Sequence, residues 1–201
     1  MSTTRRSALI GLTAIAAAAL SACSGPYHLS ADAKSFGQWP EGRAAGTYAF
    51  DRLPSQQGNK RQDELEAAAR AALEKAGFKP AADTKSADIL VSLGARISAY
   101  DPAPWNDPLW WRWRGSLMAW RYVGPYRAGW RDPFWDVRYE RAVAVLLRDR
   151  ASGEALYEAH ASNDGLSSGD GALIGALFEA ALAEFPKSNP ESHRVTIQVP
   201  R

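Results

Sequence analysis

The stretch "DVRYERAVAVLLRDRASGEALYEAHA" (Asp136–Ala161) decides the fold, because its pattern predicts a β-hairpin. In the first arm, apolar residues of one face recur at every second position through Val143, Val145 and Leu147, and in the second arm they alternate with polar residues through Tyr157, Ala159 and Ala161. A period of two residues places every second side chain on one face, which is typical of a half-buried strand. The "RASG" between the arms supplies the turn, so the two arms are expected to pair antiparallel.

Three further segments are predicted strands. "ADILVSLGARIS" (residues 87–98) alternates cleanly from Ile89 to Ile97. The short "GTYAF" (residues 46–50) precedes the first helical pattern, and "RVTIQVP" (residues 194–200) is expected to add a last edge strand. By contrast, residues 23–40 contain Gly, Pro and Ser and predict a lipid anchor and tether that leads into a first edge segment.

Two segments carry apolar residues at the i, i+3, i+4, i+7 spacing of an amphipathic helix. They are "RQDELEAAARAALEKAG" (residues 61–77) and "GDGALIGALFEAALAEFP" (residues 169–186). Gly77 is expected to end the first helix, whereas Asp170 caps the second and Pro186 stops it. Helices with one apolar face must bury that face against another element, so the fold class is α+β. We expect two amphipathic helices packed on one face of a mostly antiparallel sheet, in a single domain over residues 41–200.

The chain begins with the pattern of a secretory signal peptide over residues 1–22. Arg5 and Arg6 precede residues 8–20, which are uncharged and mostly apolar. Thirteen such residues suit a signal peptide, and they are fewer than the ~20 that a spanning helix needs. The paired arginines leave twin-arginine export open beside the general route.

The segment Leu20–Cys23 resembles the lipobox of bacterial lipoproteins, and Cys23 is the single cysteine of the chain. This resemblance implies that Cys23 carries lipid, including a fatty acyl chain such as palmitate, and anchors the protein to a membrane. Since Ser24 rather than aspartate follows, it also implies an outer-membrane location with the domain facing the periplasm.

Removing the signal peptide leaves a chain without net charge. The chain has 24 basic and 22 acidic residues. Loss of Arg5 and Arg6 with the signal peptide makes the two numbers equal. Nucleic-acid binding requires a sustained basic surface, so we expect no nucleic-acid partner.

The order of these elements resembles a family of bacterial envelope lipoproteins that share domain of unknown function 4136. The resemblance covers most of residues 30–187. It is carried by "GTYAFDRLP", "KAGFKPAADTKSADILVSLGA", "VAVLLRDRASGEALYEAHAS" and "LFEAALAEFP". It implies an architecture and an envelope location, and it implies no activity. Members commonly hold an aromatic insertion between the same two strands, and in this chain that insertion is unusually rich in tryptophan and arginine.

The insertion spans residues 101–135 and contains seven of the eight tryptophans of the chain, four of them in "NDPLWWRWRGSLMAWRY" (Asn106–Tyr122). A connection of this length usually has a function or is disordered, and segments rich in aromatic residues are seldom disordered. The candidate binding surface consists of Trp110, Trp111, Arg112, Trp113, Arg114 and Trp120.

Three roles for the insertion stay open. The tryptophans could pack over the open face of the sheet, with arginines stacked on them. They could lie in the membrane interface, where aromatic rings and guanidinium groups are both favoured. They could also stack on the sugar rings of peptidoglycan or lipopolysaccharide, and a protein partner in the envelope is a further alternative.

The best enzymatic motif is "GLSSG" (Gly165–Gly169), which matches the nucleophile elbow of serine hydrolases. Ser167 would be the nucleophile, with Asp170 and His193 completing a triad. The elbow belongs to a parallel sheet, however, and the preceding strand is here the second arm of a hairpin. Asp170 is also explained as a helix cap. We therefore predict a non-enzymatic outer-membrane lipoprotein, with a small periplasmic serine hydrolase as the alternative.

No cofactor or metal is expected from the sequence. His28, His160 and His193 are far apart, and none has a second ligand at metal-binding spacing. His160 alternates with exposed positions and is expected on the surface. "SGDG" at a helix start lacks the lysine of a phosphate-binding loop.

Overall fold

The computed structural model describes residues 27–100 and 138–199, and these form seven strands and two α-helices. The α+β class predicted from the sequence is confirmed. A short 3-10 helix (Pro54–Gln56) follows the second strand. The strands are β1 (Tyr27–Gly37), β2 (Thr47–Phe50), β3 (Lys79–Pro80), β4 (Ile89–Tyr100), β5 (Arg138–Asp149), β6 (Ala155–Gly165) and β7 (His193–Val199), and the helices are α1 (Lys60–Lys75) and α2 (Gly171–Ala181).

All seven strands form one sheet in the order β3-β2-β4-β5-β6-β1-β7. β2 pairs parallel with β3 and β4, and the other neighbouring pairs are antiparallel. The sheet is therefore mixed and mostly antiparallel, as predicted. Within the described residues, no helix is long and apolar enough to cross a membrane.

The predicted hairpin forms the centre of this sheet. Val143 pairs with Ala161, and Leu147 pairs with Tyr157. The turn is stabilised by Asp149, whose Oδ1 accepts hydrogen bonds from the backbone N–H groups of the two turn residues that follow Arg150. Antiparallel pairing with a short turn is thus achieved by local hydrogen bonds.

The prediction of a tether over residues 23–40 is wrong for residues 27–37, which form β1. This strand lies inside the sheet between β6 and β7 and is not an edge strand. Its buried positions alternate through Leu29, Ala31, Ala33 and Ser35. Alanine and serine are small and only weakly hydrophobic, so the period of two is hard to recognise in this segment, which also has Gly and Pro residues at its ends.

Both helices begin close to the predicted positions, and α1 also ends close to its predicted end. The side chain of Asn59 caps α1, and Gly77 follows its last turn with a φ of 96°. The predicted cap of α2 is confirmed, because Asp170 Oδ1 accepts a hydrogen bond from the N–H of Leu173. α2 ends at Ala181, earlier than the predicted stop at Pro186.

One continuous core joins the helices to one face of the sheet. Where α1 and α2 meet, Gly175 lies so close to the carbonyl oxygen of Ala68 that a Cβ there would stand 3.1 Å from it. The core includes Leu29, Ile89, Val91, Val143, Val145, Leu147, Ala159 and Ala161 from the sheet, with Ala69, Ala72, Leu73, Leu177 and Phe178 from the helices.

The sheet has two ends that differ in how the core finishes. At the hairpin end, β5 turns into β6, and β2 and β4 begin. At the insertion end, β4 stops at Tyr100, which pairs with Arg138 at the start of β5. Along the core face of β4, exposure rises from 0% at Ile89 to 38% at Ile97. Within residues 27–100 and 138–199, the core is therefore more completely buried at the hairpin end than at the insertion end.

Candidate functional site

The insertion end brings together strand ends that are distant in sequence. Tyr139 near the start of β5 pairs with Gly165 at the end of β6. β1 also begins at this end, because Asp32 pairs with Ser162, which lies three residues before the end of β6. The start of β1, the end of β4 and the start of β5 thus all lie at one end of the sheet.

The predicted lipidation and binding residues lie outside the described residues. These are Cys23 and the tryptophan and arginine set of the insertion, Trp110, Trp111, Arg112, Trp113, Arg114 and Trp120. Their roles stay predictions from the sequence.

A buried arginine occupies the core face of β5 at the insertion end. Arg141 is 2% exposed and stands opposite Ile97 of β4 and Asn163 of β6. One terminal nitrogen donates to Asn163 Oδ1, and the other donates to the carbonyl oxygen of Ser167 at 3.3 Å. Its Nε atom is buried and has no hydrogen-bond partner among the described residues. A guanidinium group in this position holds the loop after β6 onto the end of the sheet.

Two glycines of "GLSSG" make room for this arginine. A Cβ on Gly165 would collide with the terminal nitrogens of Arg141, and one on Gly169 would lie 3.3 Å from its Cδ. Gly169 also has a φ of 82°, which side chains disfavour. The packing of Arg141 therefore accounts for the glycine spacing that resembled a nucleophile elbow.

The three residues of the alternative triad are not joined in the structure. Ser167 contributes its backbone carbonyl to Arg141, and Asp170 caps α2. His193 Nε2 lies 3.4 Å from the carboxylate of Glu184, and no hydrogen bond links it to Ser167 or Asp170. A catalytic serine requires a base within hydrogen-bond reach, so this geometry does not assemble the hydrolase site.

A shallow polar depression lies on the sheet face away from the helices, near the insertion end. It is lined by Asp32, Glu140 and Asp164 together with Ser162 and Asn163. Arg194 forms a bidentate pair with Asp32, and a terminal nitrogen of Arg96 lies 3.2 Å from Glu140. Among the described residues, no group of three or more His, Cys, Asp or Glu side chains has a geometry that could hold a metal ion.

The histidines are separated in space as well as in sequence. His160 lies beside Glu158, 2.6 Å from its carboxylate, on the partly exposed face of β6. His28 is exposed on β1, and His193 lies at the start of the edge strand β7. The predicted surface position of His160 is consistent with this arrangement.

The hairpin end contains an aromatic cluster that the sequence analysis missed. Trp39 packs edge-on against Phe78 and Phe185, with ring centroids 5.7 and 4.8 Å apart. Tyr157 and Tyr48 meet the same rings. Trp39 lies two residues beyond the end of β1 and is partly buried against the core, so the alternation of β1 would have predicted its inward position.

Polar contacts hold the chain around this cluster. The indole N–H of Trp39 donates to the carbonyl of Arg43 at 3.0 Å, and Arg43 pairs with Asp149 at 2.7 Å. Hydrogen bonds from the backbone of Ser152, and then from Arg43, lower the pKa of Asp149 to about 2. Burial raises the pKa of Tyr157, whose hydroxyl donates to the carbonyl of Lys187.

Solved structures that match this chain at low sequence identity come from several bacteria. A PelC dodecamer from Paraburkholderia phytofirmans is 11% identical with a TM-score of 0.44, and the match covers 76% of this chain and 95% of that chain. A PDZ domain protein from Parabacteroides distasonis is 12% identical with a TM-score of 0.49, and the match covers 90% of this chain and 41% of that chain. A DUF4136 family protein from Bacteroides thetaiotaomicron is 14% identical with a TM-score of 0.36, with coverage of 77% and 96%.

A comparison with curated proteins finds no significant match. The family described as Domain of unknown function (DUF4136) matches residues 33–187, which is more than half of the chain and includes both helices and the central hairpin. The chain therefore belongs to the DUF4136 family.

Proposed function

We propose that the protein is a non-enzymatic lipoprotein of the outer membrane, and that its insertion makes contacts at the membrane surface. In this proposal Cys23 carries the lipid, and the folded domain lies in the periplasm. The insertion end of the sheet faces the bilayer.

One observation carries the proposal. β1 begins at Tyr27, four residues after Cys23, and it begins at the sheet end where β4 and β5 flank the insertion. Four extended residues reach at most about 14 Å. An anchor on Cys23 would therefore hold the insertion end close to the lipid surface.

This placement favours a contact that would be weak on its own. A tethered segment meets its target at a high effective concentration, so modest intrinsic affinity is sufficient. Tryptophan and arginine suit the interface, where indole rings lie at headgroup depth and guanidinium groups meet phosphates. The separate contacts of Ser167, Asp170 and His193 support a non-catalytic role.

The lipid anchor is tested by Cys23→Ser in cells, with Ser24→Ala as the matched control. We expect the control to fractionate with the outer membrane and to incorporate labelled palmitate. The Cys23→Ser protein should lose both properties. Palmitate incorporation that survives in Cys23→Ser would overturn the anchor.

The surface contact is tested with the unlipidated chain from residue 24 onwards, sedimented with anionic vesicles and, separately, with peptidoglycan. One variant combines Trp110→Ala, Trp111→Ala and Trp113→Ala, and the control combines Phe36→Ala and Leu53→Ala, two exposed apolar residues outside the insertion. Circular dichroism checks that both variants are folded. We expect vesicle binding that only the tryptophan variant loses. Binding to peptidoglycan alone would make the insertion a glycan site, and unfolding of the tryptophan variant would make its tryptophans part of the core.

A further inference from the structure

Large apolar side chains are concentrated at the insertion end, outside the insertion itself. Five such side chains are exposed in the described residues, and three of them lie at this end. Tyr27 is 46% exposed, Ile97 is 38% exposed and Leu166 is 63% exposed. We call Tyr27, Ile97 and Leu166 the apolar rim.

The rim exists because the sheet extends beyond the helices that cover its core face. Ile97 continues the inward alternation of β4, yet it is exposed where Leu93, four residues earlier, is only 9% exposed. Tyr27 likewise shares a face with Leu29, which is 1% exposed. Leu166 follows the last residue of β6. Apolar side chains that continue past the covering layer are available to another apolar surface.

The three positions are close enough to meet one surface. In the sheet order, β4, β5, β6 and β1 are consecutive neighbours. Three strand spacings amount to about 14 Å. The ends of β4, β5 and β6 are level with one another, because Tyr100 pairs with Arg138 and Tyr139 pairs with Gly165. Ile97 lies three residues before the end of β4, and Leu166 lies one residue beyond the end of β6.

We infer that the apolar rim docks on the lipid bilayer, as a second contact beside the insertion. The inference rests on the proposed lipid anchor, because a chain of four residues between Cys23 and Tyr27 keeps the rim within about 14 Å of the acylated residue. The rim side chains enter the headgroup region and no deeper. The exposed Arg138 and the partly exposed Glu140 stand on the same end of β5 and favour water.

The test uses the full-length protein, processed and lipidated in cells and then reconstituted into vesicles of phosphatidylethanolamine and phosphatidylglycerol. Lipid on Cys23, the single cysteine, would leave an introduced cysteine as the one free thiol. Ile97→Cys and Leu166→Cys are labelled with an environment-sensitive fluorophore. Phe36→Cys and Leu53→Cys are the matched controls, because Phe36 has the 38% exposure of Ile97 and Leu53 has the 63% exposure of Leu166.

The controls differ from the rim in position. Phe36 stands next to Gly37, which pairs with Tyr157 at the hairpin end. Leu53 lies three residues beyond Phe50, which pairs with Val91 near the start of β4. We expect labels on the two rim positions to shift to shorter emission wavelength in vesicles and to be quenched by brominated phospholipid. Labels on the two control positions should stay quenched by aqueous iodide.

The outcomes separate this inference from the proposed function. If the protein floats with vesicles while rim and control labels respond alike, the rim does not dock and only the inference fails. If rim labels are shielded from iodide before vesicles are added, protein covers the rim, either a second copy or another part of the chain, and the inference also fails. If the protein does not float at all, the proposed anchor fails together with the inference.

Discussion

At the hairpin end the core finishes on aromatic rings, whereas at the insertion end it finishes on a guanidinium group. Trp39 packs edge to face against Phe78 and Phe185, and Tyr157 packs edge to face against Phe185. Arg141 instead lies buried and makes hydrogen bonds to an amide and a backbone carbonyl. Edge-to-face rings are favourable by packing alone, whereas a buried charge depends on each of its polar partners.

Because of this difference, the part of the core that stabilises the domain lies at the opposite end of the sheet from the surface that can vary. The hairpin end is closed by the described chain itself, and Trp39 links β1 to the segment after it. Among the described residues, Arg141 and two glycines close the insertion end, and apolar side chains such as Ile97 are exposed there. A domain built in this way can vary its insertion end without repacking its aromatic cluster.

The largest expected effect is the loss of the central ring at the hairpin end. Phe78→Ala removes a side chain that is 2% exposed and that contacts Trp39 and Tyr48. We expect the free energy of unfolding to fall by about 3–5 kcal/mol. Phe36→Ala is the matched control on an exposed ring, and it should cost less than about 1 kcal/mol. Urea denaturation measures both, and equal losses would show that the aromatic cluster does not close this end.

The second prediction concerns the glycines around Arg141. Gly165→Ala forces a Cβ against the buried guanidinium group, so the free energy of unfolding should fall by about 1–3 kcal/mol. In an Arg141→Met background, which lacks that group, the same change should cost within about 0.5 kcal/mol of zero. Urea denaturation of the four proteins gives the coupling. Simple additivity would mean that Gly165 is required for another reason.

The sequence predicted the hairpin, β2, β4, β7 and both helices, because each has a regular period of apolar residues. It failed at β1, where the inward positions include Ala31, Ala33 and Ser35. Small side chains pack well beneath helices, yet they hardly differ from the polar residues beside them. Parallel pairing of β2 with β3 and β4 also lay beyond pattern reasoning, because strand order depends on contacts distant in sequence.

The site at the insertion end was less predictable than the fold. "GLSSG" was recognised as a motif, but its glycines serve Arg141, which lies more than 20 residues earlier in the chain. Pattern analysis treats an arginine in an alternating strand as exposed, and Arg141 occupies an inward position of β5. The hydrogen bonds of Arg141 show that the loop after β6 packs against the start of β5, which the sequence pattern does not indicate.

A smaller effect is expected where α2 begins, close to Arg141. Asp170→Ala removes the cap on the N–H of Leu173 and should lower the free energy of unfolding by about 1 kcal/mol. Asp170→Asn keeps a capping oxygen and should cost only a few tenths of that amount, about 0.3 kcal/mol. Ser167→Ala should leave stability unchanged, since Ser167 contributes its backbone. A larger loss for Ser167→Ala than for Asp170→Ala would give the hydroxyl a role that the hydrogen bonds do not account for. Thermal unfolding compares the three.

The smallest expected effect is a pH dependence confined to the hairpin end. The pKa of Asp149 is about 2 in the folded protein, below its ordinary value of 3.8, first because the backbone of Ser152 donates to it and then because Arg43 does. A carboxyl group whose pKa is lowered on folding stabilises the fold at pH values above its ordinary pKa of 3.8. That stabilisation is lost as the pH falls from 3.8 towards 2. Because Asp149 lies at the hairpin end, acid should loosen that end before the insertion end.

Asp149→Asn tests this dependence. The variant should be less stable than the parent protein at neutral pH, and its stability should fall less steeply as the pH is lowered through that window. Asp88→Asn is a useful companion, because hydrogen bonds from Thr47 also lower the pKa of Asp88 at the same end. Hydrogen exchange of backbone amides, followed at neutral and at acidic pH, locates the loosening. Faster exchange that begins around Arg141, with amides near Trp39 still protected, would reverse the proposed order of the two ends. The hairpin end, which contains the aromatic cluster, would then be the more stable end in acid although Asp149 lies beside it.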